Sequence, residues 1–151
     1  EVVILAVPYR YVKETLIAAG PALVKGRILI DATNAIAPSY DLAVGFTSSG
    51  AEEIAQTVPG ARVAKAFNTV FAGTMATGKA AGAPITVFVA ADDPKAKETA
   101  LRLARDIGFD AVDAGPLRAA RYLEPMGLQM INLGYSLKMG TDIGLRLVRK
   151  A

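Results

Sequence analysis

Four short runs hold most of the side chains in this 151-residue sequence that could do chemistry. They are Val7, Pro8 and Tyr9; Asp31, Ala32, Thr33 and Asn34; Phe67, Asn68 and Thr69; and Asp113, Ala114, Gly115 and Pro116. Each follows an apolar stretch and offers short polar side chains with free backbone N–H and C=O groups. Such a set suits a flat, amide-bearing ring such as a nicotinamide, whose carboxamide can be read without any charge. The same residues also make ordinary helix caps and side-chain turns, which need no ligand. Histidine and cysteine are both absent, which excludes an imidazole base, a Ser-His-Asp triad, a disulfide framework and a thiolate or His-ligated zinc site. Asp31 either fixes the turn at Thr33 and Asn34 or acts as a general base or metal ligand. Tyr9 and Tyr135 have no Lys or His placed beside them by sequence. With no acid–base pair in view, no catalytic residue and no metal ligand is assigned. Hydride transfer suits this poverty, because it needs two rings held face to face more than it needs a proton relay.

Elements of alternating type must position these runs. Continuous apolar stretches over 2–7, 27–31, 62–67, 85–89 and 109–112 read as strands, the first of them fully buried. Helices are expected over 10–19, with Gly20 and Pro21 closing it, and over 51–57, started by Ser49 or Gly50. A third runs from Pro94 to Ile107, capped by Asp92 or Asp93 and stopped by Gly108. Leu23 and Val24 begin a short helical turn. Residues 35–50 read as a loop, long enough to suggest a function. The small residues over 72–84 point to close packing or mobility more than to a regular element. After Pro116 a long apolar helical pattern follows, with Leu123, Met126, Met130, Leu133 and Leu137 on one side, bent or restarted at Pro125. Met126, Met130 and Met139 are either core or the wall of an apolar ring pocket. A last helix is expected from Thr141 or Asp142 to about Val148, and its N–H groups either are capped or bind an anion. Right-handed crossovers would make the sheet parallel and put all four runs on one rim, where open α/β sheets bind ligands. The fold class is therefore α/β, a partial Rossmann-like parallel sheet with a C-terminal helical segment. The division expected is 1–114 for the sheet and 115–151 for a small helical domain or lid.

Composition adds limits. The formal charge of +3 comes from scattered basic residues, apart from Arg146, Arg149 and Lys150, and with no Trp a stacking platform for nucleic acid is not expected. No apolar run reaches the roughly 20 residues that cross a bilayer. The expectation is a soluble, cytoplasmic protein whose partners are small-molecule cofactors rather than nucleic acid or membrane.

Asp31-Ala-Thr-Asn34, Ala66-Phe-Asn-Thr69, Asp113-Ala-Gly-Pro-Leu117, Ala120-Arg-Tyr-Leu-Glu-Pro-Met126 and Met139-Gly-Thr-Asp142 occur in register along the sequence. In this the chain resembles the NADPH-dependent coenzyme F420 reductases, also called F420H2:NADP oxidoreductases, with the dinucleotide-binding domains of the STEAP-type metalloreductases as relatives. The resemblance implies an oxidoreductase that passes hydride between NADP(H) and the deazaflavin coenzyme F420. It places Val7 and Pro8 along the dinucleotide, the segment from Asn34 and Ala35 to Pro38 in a wall near the nicotinamide, and Asn68, Thr69 and Val70 beside the reacting rings. Met139, Gly140 and Thr141 fall in the deazaflavin pocket, and Pro116 and Leu117 at a hinge. Some relatives carry a histidine where Asn68 stands; an amide there can still donate and accept.

The family's Gly-x-Gly-x-x-Gly turn, and the Ser, Arg or Lys that reads the 2′-phosphate, do not occur in this sequence. If the 151 residues stand alone, weak NADP binding is expected, together with a homodimer or looser self-association through the exposed edge of the first strand. An NADPH-dependent flavin or metal reductase, and a non-catalytic dinucleotide-binding or assembly remnant, remain as alternatives.

Overall fold

Alternation along the central strands decides the layers. In β2 (Ile28–Asp31), Ile28 and Ile30 join one apolar cluster while Leu29 joins the other. In β3 (Arg62–Lys65), Val63 and Ala64 divide the same way. Side chains of successive residues point to opposite faces, so a strand apolar at every position must be covered on both. One face carries α1 (Val12–Ala19) and α2 (Gly50–Thr57), through Val12, Leu16, Ala51 and Ile54. The other carries α3 (Pro94–Ile107), whose Ala96, Ala100, Leu101 and Ala104 lie at helical spacing.

The computed structural model describes residues 1–20 and 25–150; the turn expected at Leu23 and Val24 lies outside them. The sheet is completed by β1 (Val2–Leu5), β6 (Thr86–Ala91) and β7 (Asp110–Asp113), in the order β1-β2-β3-β6-β7. Two-residue strands β4 (Lys79–Ala80) and β5 (Ala83–Pro84) form a separate hairpin. Pairing is parallel from β1 through β3 and between β6 and β7, but β3 and β6 are antiparallel, with Ala64 opposite Ala91 and Lys65 opposite Ala90. The sheet is thus mostly parallel, not wholly so as expected. A parallel return needs a crossover, usually a helix, and between β3 and β6 the chain forms only a 3-10 turn at Ala72–Thr74 and the hairpin.

That reversal moves one of the four expected runs. The ends of β1, β2 and β3 share a rim, on which β6 begins. Asp113 ends β7 and Gly115 follows it at the opposite rim, beside the end of β6, where Asp92 accepts from the Leu117 N–H at 2.9 Å. From there α4 (Ala120–Ile131) returns toward the first rim, continuous through Pro125 rather than restarting, and ends in a π turn at Asn132–Ser136.

Two further expectations are corrected. β1 is an edge strand and only partly covered: Val2 and Ile4 are exposed, the latter at 53 %. The tail after Gly140 forms no helix. It lies extended, with the Thr86 N–H donating to the Leu145 carbonyl at 2.8 Å and the Leu147 N–H to the Thr86 hydroxyl at 2.9 Å. Asp142 accepts from the Ala81 N–H instead of capping a helix. The caps of α2 and α3 are as expected: Ser49 Oγ accepts from Glu52 N–H and Asp93 Oδ1 from Ala96 N–H, with Pro94 opening the helix.

Candidate functional site

The strand ends are bolted together by a buried ionic cluster. Lys65, at the end of β3, is fully buried. Its ammonium donates to Asp31 Oδ2 at 2.8 Å and to the Thr33 carbonyl at 2.7 Å, and pairs with Glu124 Oε1 at 3.1 Å. The other oxygen of Asp31 accepts from the Thr33 N–H at 2.9 Å. The turn-fixing reading of Asp31 is therefore met, with Lys65 of the third strand as its second partner. Glu124 comes from α4 and meets the N-terminus of α2, accepting from the N–H groups of Gly50 at 2.8 Å and Ala51 at 3.1 Å. Partial positive charge at a helix start favours a carboxylate there. A Cβ at Gly50 would stand 2.8 Å from the Tyr9 ring and 3.0 Å from Ala35 Cβ, so only glycine lets these groups close on Glu124.

A second clamp is neutral. Phe67 is buried with φ +67, in the left-handed region that bulky residues avoid. The turn follows directly on β3 and sets Asn68 under α4. The Asn68 amide nitrogen donates to the Leu123 carbonyl at 2.7 Å and to Asn34 Oδ1 at 3.3 Å. Gly127 lies against the same pair: a Cβ there would meet Asn34 Oδ1, and would stand 2.6 Å from Asn68 Nδ2 and 2.9 Å from the Asn68 carbonyl. Asn34 is thereby held from behind.

In front of Asn34 is a cavity of about 510 Å³, roofed by the loop after β2. Val7 and Pro8 line it, as do Thr33 and Asn34. Of the ten residues expected in a site, these place Val7, Pro8 and Asn34 together; Ala35 packs behind, next to Gly50, and Asn68 supports Asn34 rather than facing the cavity. Thr69 is buried and Val70 packs on the core of the sheet. Met139 lines a different opening of about 390 Å³ at the same rim, with Ile85, Met130, Leu133 and Ile143. Gly140 and Thr141 are exposed beside it, the Gly140 N–H donating to the Gly134 carbonyl. The two openings share no lining residue.

Two tyrosines, Tyr9 and Tyr40, line the cavity. Tyr9 donates its hydroxyl to Glu53 Oε2 at 2.5 Å. Burial pushes its pKa well above the ordinary tyrosine value, and the Glu53 carboxylate raises it further. It keeps its proton at neutral pH. Among the described residues, no group of three or more Asp and Glu side chains is placed to hold a metal ion, and no helix is long and apolar enough to cross a membrane.

A mostly parallel sheet, helices on both faces and a cavity over the ends of the first strands define a Rossmann-like dinucleotide-binding fold. No family model matches the chain. A crystal structure of a candidate F420-dependent NADP reductase from Arthrobacter sp. FB24 superposes with a TM-score of 0.91 at 32 % identity, over 99 % of this chain and 70 % of that one. The chain belongs to this family of F420-dependent NADP reductase-like proteins. A hypothetical protein from Sinorhizobium meliloti follows with a TM-score of 0.70 at 28 % identity, over 99 % of this chain and 67 % of that one. Among curated proteins, metalloreductase STEAP3 of Rattus norvegicus is 33 % identical over 106 residues, 70 % of this chain and 21 % of that protein. Metalloreductase STEAP2 of Homo sapiens is 30 % identical over 111 residues, 74 % of this chain and again 21 % of that protein. The chain thus spans about a fifth of the length of the curated relatives it matches.

Proposed function

We propose that the chain carries the nicotinamide-side rim of an oxidoreductase that transfers hydride between NADP(H) and coenzyme F420. The observation that carries this reading is the cavity over β1 and β2, in a chain that is 32 % identical to a candidate F420-dependent NADP reductase over nearly its whole length. Its residues fit a nicotinamide. The volume is within the range of small-molecule sites, Asn34 presents an amide, and the Thr33 hydroxyl is buried with no hydrogen-bond partner among the described residues. The bound nicotinamide would supply the hydride chemistry. The chain's part is to hold the ring flat against the strand ends, through Val7, Pro8 and Asn34, and to keep Asn34 oriented through Asn68 and α4. Orientation of this kind is what a reaction without a proton relay requires of a protein. Met139, Gly140 and Thr141 then border the second, apolar opening as the deazaflavin wall.

The test is to mix the protein with NADPH and oxidised F420 and follow the deazaflavin absorbance. Bleaching that slows at least tenfold in Asn34→Ala supports the reading. NADPH binding without bleaching removes F420 as the acceptor. The match to the metalloreductases favours a second reading, in which NADPH reduces a flavin or a metal, and the same assay with flavin and a ferric chelate examines it. Binding with no reduction of any acceptor leaves a non-catalytic dinucleotide-binding or assembly role.

A further inference from the structure

Among the described residues, Arg10 is the single charged side chain on the wall of the cavity over β1 and β2, and no carboxylate lines it. It follows β1 in the 3-10 turn Tyr9–Tyr11. Among the described residues its guanidinium makes no ion pair and no hydrogen bond; it lies over the Tyr11 ring, 4.7 Å from the centroid. The nearby acid, Glu53, lines a smaller neighbouring cavity together with Lys13 and the other side of Arg10, and its carboxylate accepts from the Tyr9 hydroxyl rather than from the guanidinium. Further round the same wall are Thr33, 3 % exposed with its hydroxyl unpartnered, and Asn34. One site therefore combines a forked cation that makes no ion pair among the described residues with neutral groups suited to an uncharged ring.

We propose that Arg10 is an anion subsite of this cavity and reads a phosphate on a nucleotide whose base lies toward Thr33 and Asn34. The guanidinium presents donors in a planar fork that matches two phosphate oxygens. Its stacking on Tyr11 holds the plane without using those donors. The proposal rests on the reading of this cavity as a nicotinamide site, and adds the group that would recognise the phosphate next to the nicotinamide riboside.

The experiment compares reduced nicotinamide mononucleotide with reduced nicotinamide riboside, which differ only by the phosphate, titrated by fluorescence into the wild-type chain, Arg10→Ala and Arg10→Lys. Arg10 is exposed, so both variants should keep the wild-type melting temperature. The wild type should bind the mononucleotide about tenfold or more tighter than the riboside, the scale of one charge-assisted contact. In Arg10→Ala that ratio should fall to near one with riboside affinity unchanged. In Arg10→Lys it should survive in part, because an ammonium keeps the charge and loses the fork. Inorganic phosphate should compete with the mononucleotide and leave riboside binding untouched. Equal affinities for the two probes in the wild type, or a ratio that persists in Arg10→Ala, would overturn the subsite while leaving the cavity reading intact. Failure of both probes to bind the wild type at millimolar concentration would overturn the cavity reading and the subsite with it.

Discussion

The two openings on the first rim are built in opposite ways. The one over β1 and β2 is backed by polar groups whose partners are fixed: Lys65 holds Asp31, Thr33 and Glu124, Glu124 joins α4 to α2, and Asn68 ties Asn34 to α4. The one beside Met139 is walled mainly by apolar side chains, with Asp142 and Arg146 on the tail side, and that tail is held by few bonds to the hairpin and to Thr86. Buried polar networks that are fully satisfied fix a single arrangement. Methionine and a lightly tethered strand adjust to what they meet. The difference teaches which side can impose an orientation on a ligand and which side must accommodate one.

The comparison breaks most sharply at Lys65. Replacing it with Met leaves the carboxylates of Asp31 and Glu124 buried without their cation, and loss of one partner from a buried ionic group costs about 3–5 kcal/mol. Urea denaturation should show that loss. Glu124→Gln keeps the size and one acceptor oxygen, so a smaller loss, about 1–3 kcal/mol, is expected. Met139→Ala, at an exposed position on the other opening, should stay within about 0.5 kcal/mol. Equal losses at Lys65 and Met139 would remove the contrast between a fixed side and an adaptable one.

A matched pair of glycines sharpens it further. Alanine at Gly127 presses on Asn34 and on the Asn68 backbone, between elements that cannot separate without breaking the clamp. Overpacking of that kind costs about 1–3 kcal/mol, offset in part by the gain of alanine over glycine in a helix. Alanine at Gly144 meets Ile85, with the new Cβ 2.9 Å from Ile85 Cβ. There the tail can lift, so the loss in thermal stability should be smaller. NADPH affinity, by calorimetry, should fall in Gly127→Ala and hold in Gly144→Ala.

Much of the frame was legible because it depends on local patterns. Apolar strands, the Ser49 and Asp93 caps, Pro94 at the helix start and Gly108 at its end each act within a few residues. The direction of β6 was not legible: it depends on how the chain folds between Phe71 and Ile85, where small residues carry no period. The displaced Asp113 run follows from that one reversal. The tail missed its helix because Gly144 lies against Ile85 and Thr86 supplies bonding partners that a short isolated helix cannot outbid. Within the site, Asn34 and the turn-fixing role of Asp31 could be read from type and spacing. The clamp could not, although Lys65 interrupting an apolar strand and Glu124 on an apolar helix were its visible signals: a charge set among buried positions needs a partner, and the partner is remote in sequence.

A much smaller effect than at Lys65 lies on the outside of the same α2–α4 junction. Arg121 of α4 grips Glu52 of α2 with a fork, Nη2 to Oε1 at 2.7 Å and Nε to Oε2 at 2.9 Å, and Ser49 Oγ donates to the same carboxylate at 2.7 Å. The hydrogen bonds from Arg121 hold the pKa of Glu52 below its ordinary value, against a partial desolvation that would raise it. A depressed folded-state pKa means that the unfolded chain takes up this proton first as pH falls. The stabilisation is therefore fully present above the unfolded value, about 4.3, and is lost as pH drops through the lower folded value. Solvent reaches this pair, unlike the Lys65 cluster, so its whole contribution is modest. The difference in urea midpoint between the wild type and Arg121→Met should be level from pH 7 to about 5 and shrink steadily below that. A difference that persists unchanged at pH 3 would mean that Arg121 joins the helices through the packing of its stem, and that the charge-made link between α2 and α4 is the buried one alone.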